Sequence, residues 1–231
     1  MAERTTFRLR VRFGKLGRLR HLSHLEVMRA LERSIRRADM PYAVTQGFSP
    51  HMKAAFGPAL PVGTAGLCEY YDLWLRELVP APEALARLVG ATPDGMAPGA
   101  VRYVSEKAPS LSAALTIARY EVGVGLAVGP DELVRAVEDV LAEAELTVQA
   151  KKGKTKVFDL ASALPEEPRV ESNESGSMVV LTTRMGATGS LRTEALVGRA
   201  LERAGLPQAI TTVTRTDLLM EAEGVFTRPL E

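Results

Sequence analysis

All three histidines of this 231-residue chain, His21, His24 and His51, lie within its first 51 residues. His24 follows Ser23 at the head of a run with helical spacing. A helix N-terminus collects free N–H groups and favours an anion. Together with Arg18, Arg20 and His21, that end is a candidate phosphate site. His51 sits in QGFSPHMKAAFGPALPVG, residues 46–63, which holds three glycines and three prolines. Gly47 permits unusual backbone angles, while Pro50 fixes its own φ and restricts Ser49. A turn of that kind presents one side chain at a defined place. His51 is therefore a candidate general acid or base, or a phosphate donor. His24 and His51 form the candidate catalytic pair, expected to lie close together beside Arg18 and Arg20. No metal is expected, because three histidines and the single Cys68 lack the spacing of zinc motifs.

The charge is unevenly placed. The net charge is +1, yet residues 4–37 hold eleven Lys or Arg against two acids, Glu26 and Glu32. That segment carries +9 and the remainder −8, a pattern that points to a local anionic partner. Arg8, Arg10 and Arg12 alternate along a strand pattern. Arg29 and Arg33, continued by Arg36 and Arg37, recur at helical spacing. Lys53 follows the turn of His51. KKGKTK, residues 151–156, adds Lys151, Lys152 and Lys154. It is not a P-loop, because Val148 stands where the first glycine is required.

The elements that position these residues follow from periodicity. TFRLRVRF places Phe7, Leu9, Val11 and Phe13 on one face of a half-buried strand and the arginines on the other. Ser23-His24-Leu25-Glu26 is a capping box, and Leu25, Met28, Leu31 and Ile35 give the following helix its inward stripe. YAVTQ reads as a strand, CEYYDLWL as another, Pro80–Val89 as a helix and Ala100–Val104 as a strand. After a linker at 106–115 the order nearly repeats: strand 117–128, helix 131–145, a hairpin flanking KKGKTK, strand 178–184, helix 193–204 and strand 209–218. The fold class is α+β, with two tandem ferredoxin-like (split βαβ) lobes built on antiparallel sheets. The lobes are expected over residues 1–107 and 115–231.

RLRHLSHLEVMRALERSIRRA, QGFSPHMK, LPVG and EYYDLWL, with weaker matches at KKGKTKVFDL and TRTDL, resemble the radical SAM-associated proteins that carry the DUF2344 domain. Met52 follows His51 where that family tends to have proline. The resemblance spans nearly the whole chain. It implies a radical SAM protein as partner and a setting of RNA or ribosomal components, but no reaction. One cysteine cannot hold the cluster of a radical SAM enzyme, so that chemistry belongs to the partner, and no cofactor is expected here. The same cysteine count fits a reducing, cytoplasmic setting. No apolar run is long enough to span a membrane, and no partner membrane is expected. The expected function is an RNA- or ribonucleoprotein-binding accessory protein, with Arg8, Arg10 and Arg12 on the open side of the first sheet. One alternative is a metal-independent RNA endonuclease using His24 and His51. The other is a protein-interaction subunit without RNA contact.

Overall fold

The computed structural model describes residues 5–125, 128–149, 155–173, 176–186, 189–206 and 210–231. The described chain is mixed α+β, with six α-helices and mostly antiparallel strand pairing. It divides into two units, Met1–Leu115 with Leu219–Glu231, and Thr116–Leu218.

In the first unit β1 (Phe7–Lys15) leads through a 3-10 turn (Gly17–His21) to α1 (His24–Arg37). β2 (Ala54–Phe56), β3 (Ala65–Leu75), α2 (Ala81–Ala91), β4 (Pro98–Val104) and the short α3 (Leu111–Ala114) follow. Strand order is β2–β3–β1–β4, with β1 antiparallel to both β3 and β4. Leu9 opposes Leu73 and Val11 opposes Tyr71, which puts their side chains on one face with the buried Val27, Leu31 and Ile35 of α1.

α1 begins where the capping box places it. The Ser23 hydroxyl accepts from the Glu26 N–H, and the Glu26 carboxylate accepts from the Ser23 N–H at 2.8 Å. The inward stripe differs from the one expected. Val27, Leu31, Ser34 and Ile35 are buried, while Leu25 is exposed and Met28 half-buried. Leu25 lies two residues, about 200° of helical turn, before Val27, so a helix that buries Val27 turns Leu25 outward.

YAVTQ also departs from expectation. It makes two isolated bridges, Tyr42 with Leu75 and Val44 with Met52, instead of a strand. On the edge of β3 away from β1 the regular pairing here is with β2, which lies inside the Gly/Pro stretch, pairing Ala54 with Leu73 and Phe56 with Tyr71.

The second unit holds β5 (Leu115–Val124), α4 (Pro130–Leu141), β6 (Glu145–Gln149), β7 (Thr155–Asp159), α5 (Leu160–Ala163) and β8 (Arg169–Asn173). It continues with β9 (Gly176–Gly186), β10 (Gly189–Ser190), α6 (Thr193–Arg203) and most of β11 (Ile210–Ala222). β9 pairs with β5 on one side and with β8 and β10 on the other, and β5 neighbours β11. The β6–β7 hairpin expected around KKGKTK forms, but it pairs only with itself among the described residues. β8, which periodicity did not mark, takes the place beside β9. Leu133, Val137 and Val140 of α4 join Leu196, Val197 and Leu201 of α6 in this unit's core. The last strand, β12 (Val225–Thr227), turns back on the end of β11.

Glu26 links this architecture to pH. Its hydrogen bonds with Ser23, aided by the Arg29 charge, hold its carboxyl below the usual carboxylate range. The cap is therefore complete above that ordinary range and is lost as pH falls through the lower folded value. Ser23→Ala is expected to lower the stability of the first unit by about 1 kcal/mol, read as a lower urea midpoint with an unchanged slope.

Candidate nucleic-acid interface

The strand arginines are the first to be placed, and two of them are not at the surface. Arg8, Arg10 and Asp72 are all buried, Asp72 completely. Register explains why: Arg10 lies directly opposite Asp72 on the sheet face turned away from α1, with Arg8 two residues along. Arg8 donates from Nε and Nη2 to Asp72 Oδ2 at 3.0 and 2.6 Å. Arg10 donates from Nε to Oδ1 at 2.8 Å and from Nη2 to Oδ2 at 3.0 Å.

Two guanidiniums around one carboxylate leave a surplus positive charge in a buried place. Arg8 directs that surplus to main-chain carbonyls, Ala108 at 2.5 Å and Pro109 at 2.9 Å, and to the Trp74 ring at 5.0 Å. Lys53 lies over the same ring at 4.9 Å. The expectation of an open arginine face thus fails at Arg8 and Arg10, whose donors are used inside the fold. Arg12 is half-buried near Gly99.

Segment 105–110 crosses this cluster. Glu106 accepts from Trp74 Nε1 at 2.8 Å and from the Thr6 hydroxyl at 2.5 Å. Partial burial works against the Glu106 charge. Those two hydrogen bonds, with Lys53 and Arg8 nearby, outweigh it and hold the carboxyl below its usual range. Asp72 and Glu106 were missed in the sequence. Asp72 carried a signal: an acid in the apolar run YYDLWL marks a charge that must be paired. Glu106 sits in a polar connection and carried none.

The two imidazoles are not brought together. His24 stacks edge-on to Phe56, 6.3 Å between ring centroids. With Lys15, Glu69, Leu60 and Pro58 it lines a cavity of about 20 Å³, enough for one water molecule and too small for a nucleotide. Lys15 is buried there and donates to the Pro61 carbonyl at 3.2 Å. His51 turns back into its own hairpin, its Nδ1 lying 3.1 Å from Thr45 Oγ1 and 3.2 Å from the Ser49 carbonyl. Phe56 lies five residues of extended chain beyond His51, about 16 Å. The Gly/Pro stretch therefore reaches both ends of the sheet. Its turn holds His51 at one end, while Gly63 bonds to the Arg20 carbonyl at the other. The two imidazoles thus have different described neighbours, Phe56 for His24 and Thr45 with Ser49 for His51.

The exposed cations lie on α1 and its approach. Arg18 and His21 are exposed and Arg20 half-buried, with Arg20 Nε donating to His21 Nε2 at 3.3 Å. Arg29, Arg33 and Arg37 are exposed and make no hydrogen bond or ion pair among the described residues. Arg36 reaches Glu32 at 3.5 Å. Steps of four residues space Arg29, Arg33 and Arg37 about 6 Å apart along the helix. Lys151, Lys152 and Lys154 lie outside the described residues. No helix of the described residues is long and apolar enough to cross a membrane, and none of their side chains cluster as a metal site.

The fold is similar to that of a chain in a solved structure, the crystal structure of a Cbf5-Nop10-Gar1 complex. The TM-score is 0.53 at 12% identity. The likeness covers 93% of this chain and 50% of that one, so this chain spans about half its length. No curated protein matches the sequence. The chain belongs to the DUF2344 family, described as an uncharacterized protein conserved in bacteria, which matches residues 8–193.

Two outcomes test the buried cluster. Asp72→Ala leaves two buried guanidiniums without their carboxylate and is expected to cost about 3–5 kcal/mol in urea unfolding. Trp74 is the only tryptophan, so its emission reports directly on Glu106. Acidification through the lowered Glu106 value is expected to change that emission, because the carboxylate that accepts from the indole persists down to that value and is protonated below it. Glu106→Gln should remove this acid step.

Proposed function

We propose that this chain is an RNA- or ribonucleoprotein-binding accessory protein that presents its substrate to a radical SAM enzyme. The observation that carries the reading is the column Arg29, Arg33 and Arg37 on the exposed side of α1, three cations that make no hydrogen bond or salt bridge among the described residues. Uncompensated guanidiniums at regular spacing suit a chain of phosphates. Against four arginines α1 carries two acids, Glu26 in its cap and Glu32 paired with Arg36, so the helix keeps an excess of positive charge. The radical SAM partner enters from the family resemblance.

Each unit is read as a ferredoxin-like lobe. Supporting this are the order β2–β3–β1–β4 with two crossing helices in the first and the placing of β8, β9, β5 and β11 in the second. In this reading the helix side of the first lobe, not its sheet face, meets RNA. The burial of Arg8 and Arg10 favours that choice.

Arg29→Glu combined with Arg33→Glu is expected to weaken binding of labelled RNA at least tenfold. It should also flatten the slope of log K against log salt by about 1.5, the loss of two phosphate contacts. Lys151→Ala with Lys152→Ala should weaken binding less. RNA affinity unchanged in the arginine variant would favour a protein-interaction subunit instead.

A further inference from the structure

The sheet face that holds Asp72 carries more positive charge than Asp72 answers. In the β1–β4 ladder Arg10 stands directly opposite Arg102, and Arg12 directly opposite Ala100. Directly opposed residues share a face, with Cβ atoms about 5 Å apart and diagonal neighbours still within reach of long side chains. Arg10, Arg12 and Arg102 therefore occupy three corners of one four-residue block, and Ala100 the fourth. Like charges placed in this way repel each other.

The donors of the three arginines are only partly spent. Arg10 is buried and gives Nε and Nη2 to Asp72, while its Nη1 makes no hydrogen bond among the described residues. Arg102 is exposed and gives Nη1 to the main-chain oxygens of Leu230 and Glu231 at 3.1 and 2.9 Å, which leaves Nε and Nη2. Arg12 is half-buried and makes no hydrogen bond or ion pair among the described residues. Its guanidinium lies beside the exposed Gly99, with Nη2 3.5 Å from the place a Cβ would take there. Asp72, Glu106 and Glu231, the acids whose hydrogen bonds place them at this face, have other partners. Asp72 is shared by Arg8 and Arg10, Glu106 accepts from Trp74 and Thr6, and Glu231 accepts from Arg228 at 3.1 Å. Ala100 contributes only a methyl group to the block, which leaves room among the guanidiniums. A partly desolvated guanidinium without a partner, beside two others, is charge that an oxyanion offsets with charge-assisted hydrogen bonds.

We infer that Arg10 Nη1, Arg12 and Arg102 form a binding site for one small oxyanion of the phosphate class, seated over Ala100. The site lies on the sheet side of the first unit and does not rest on the RNA reading. Its half-buried centre suits a single free or terminal phosphate, not a chain of them.

The test is thermal unfolding in inorganic phosphate against chloride at equal ionic strength. Phosphate stabilises proteins generally, so the response is read as parent minus variant. Arg12→Gln and Arg102→Gln are each expected to raise the phosphate needed for half of the parent's response about tenfold. In phosphate-free buffer Arg12→Gln should be no less stable than the parent, because it removes one of three like charges. Ala100→Glu supplies a carboxylate among the guanidiniums, and should raise the midpoint without phosphate and abolish the response. Arg29→Glu/Arg33→Glu should keep the response, so failure of the RNA reading leaves this site standing. Adenosine 5′-monophosphate separates the sources: tighter binding than phosphate assigns a phosphomonoester, and equal or weaker binding assigns the free anion. An equal response in the parent and Arg12→Gln, or its reproduction by chloride, overturns the site. An Arg12→Gln variant that is less stable in phosphate-free buffer assigns Arg12 to the fold and overturns it too.

Discussion

The first unit is organised around one fully buried carboxylate. Asp72 takes four hydrogen bonds from Arg8 and Arg10 across the β1–β3 ladder. Removing such a group from water is costly, and the attraction of two forked guanidiniums repays the cost only when every remaining donor is also satisfied. That condition reaches outward. Arg8 needs the Ala108 and Pro109 carbonyls, so the segment after β4 must cross the sheet at that point. Trp74 must lie flat beside Arg8, and Glu106 must hold the indole in place. A single charge in an otherwise apolar strand thereby dictates register and the path of a connection more than thirty residues away.

This arrangement also bears on the proposed contact with an anion. On that sheet face Arg8 and Arg10 spend donors on Asp72 inside the fold, while Arg12 is half-buried. The helix layer differs: α1 keeps its apolar stripe on Val27, Leu31 and Ile35 and turns Arg29, Arg33 and Arg37 outward. Charge of the same sign, on adjacent elements thirty residues apart or less, thus serves two purposes. One set fixes the fold and the other stays in water.

The sequence showed the second set more clearly than the first. Periodicity located β1, α1, β3, α2 and β4, and the Ser23–Glu26 box marked the start of α1 to the residue. Local pattern could not reveal which side of β1 is covered, because Arg8, Arg10 and Arg12 alternate as a solvated face would. The burial of Arg8 and Arg10 follows from a partner, Asp72, about sixty residues later. The Gly/Pro stretch misled for a related reason. Glycine and proline announce a turn, but not that Ala54–Phe56, three small or aromatic residues within it, would form the regular edge of β3. His24 packs on Phe56 at the far end of that strand, while His51 precedes it, so the extended segment lies between His51 and the neighbour of His24. β8 escaped notice because RVESN alternates too briefly to register as a strand.

The division of the chain inside β11 has a bearing on how the molecule is made. The first unit takes in Leu219–Glu231, and Arg102 donates to the carbonyls of Leu230 and Glu231. Thr116–Leu218 is therefore an insertion, in sequence, within a unit whose last piece is synthesised a hundred residues after the rest. At about 5–20 residues per second, the ribosome needs roughly five to twenty seconds to supply it. During that interval the nascent first unit has β1 to β4 and both of its long helices but lacks β12 and the cover of its C-terminal residues. The second unit emerges whole in the meantime. Vectorial synthesis thus favours completion of the inserted unit first and closure of the enclosing one last, so truncation near the C-terminus damages the unit that begins the chain.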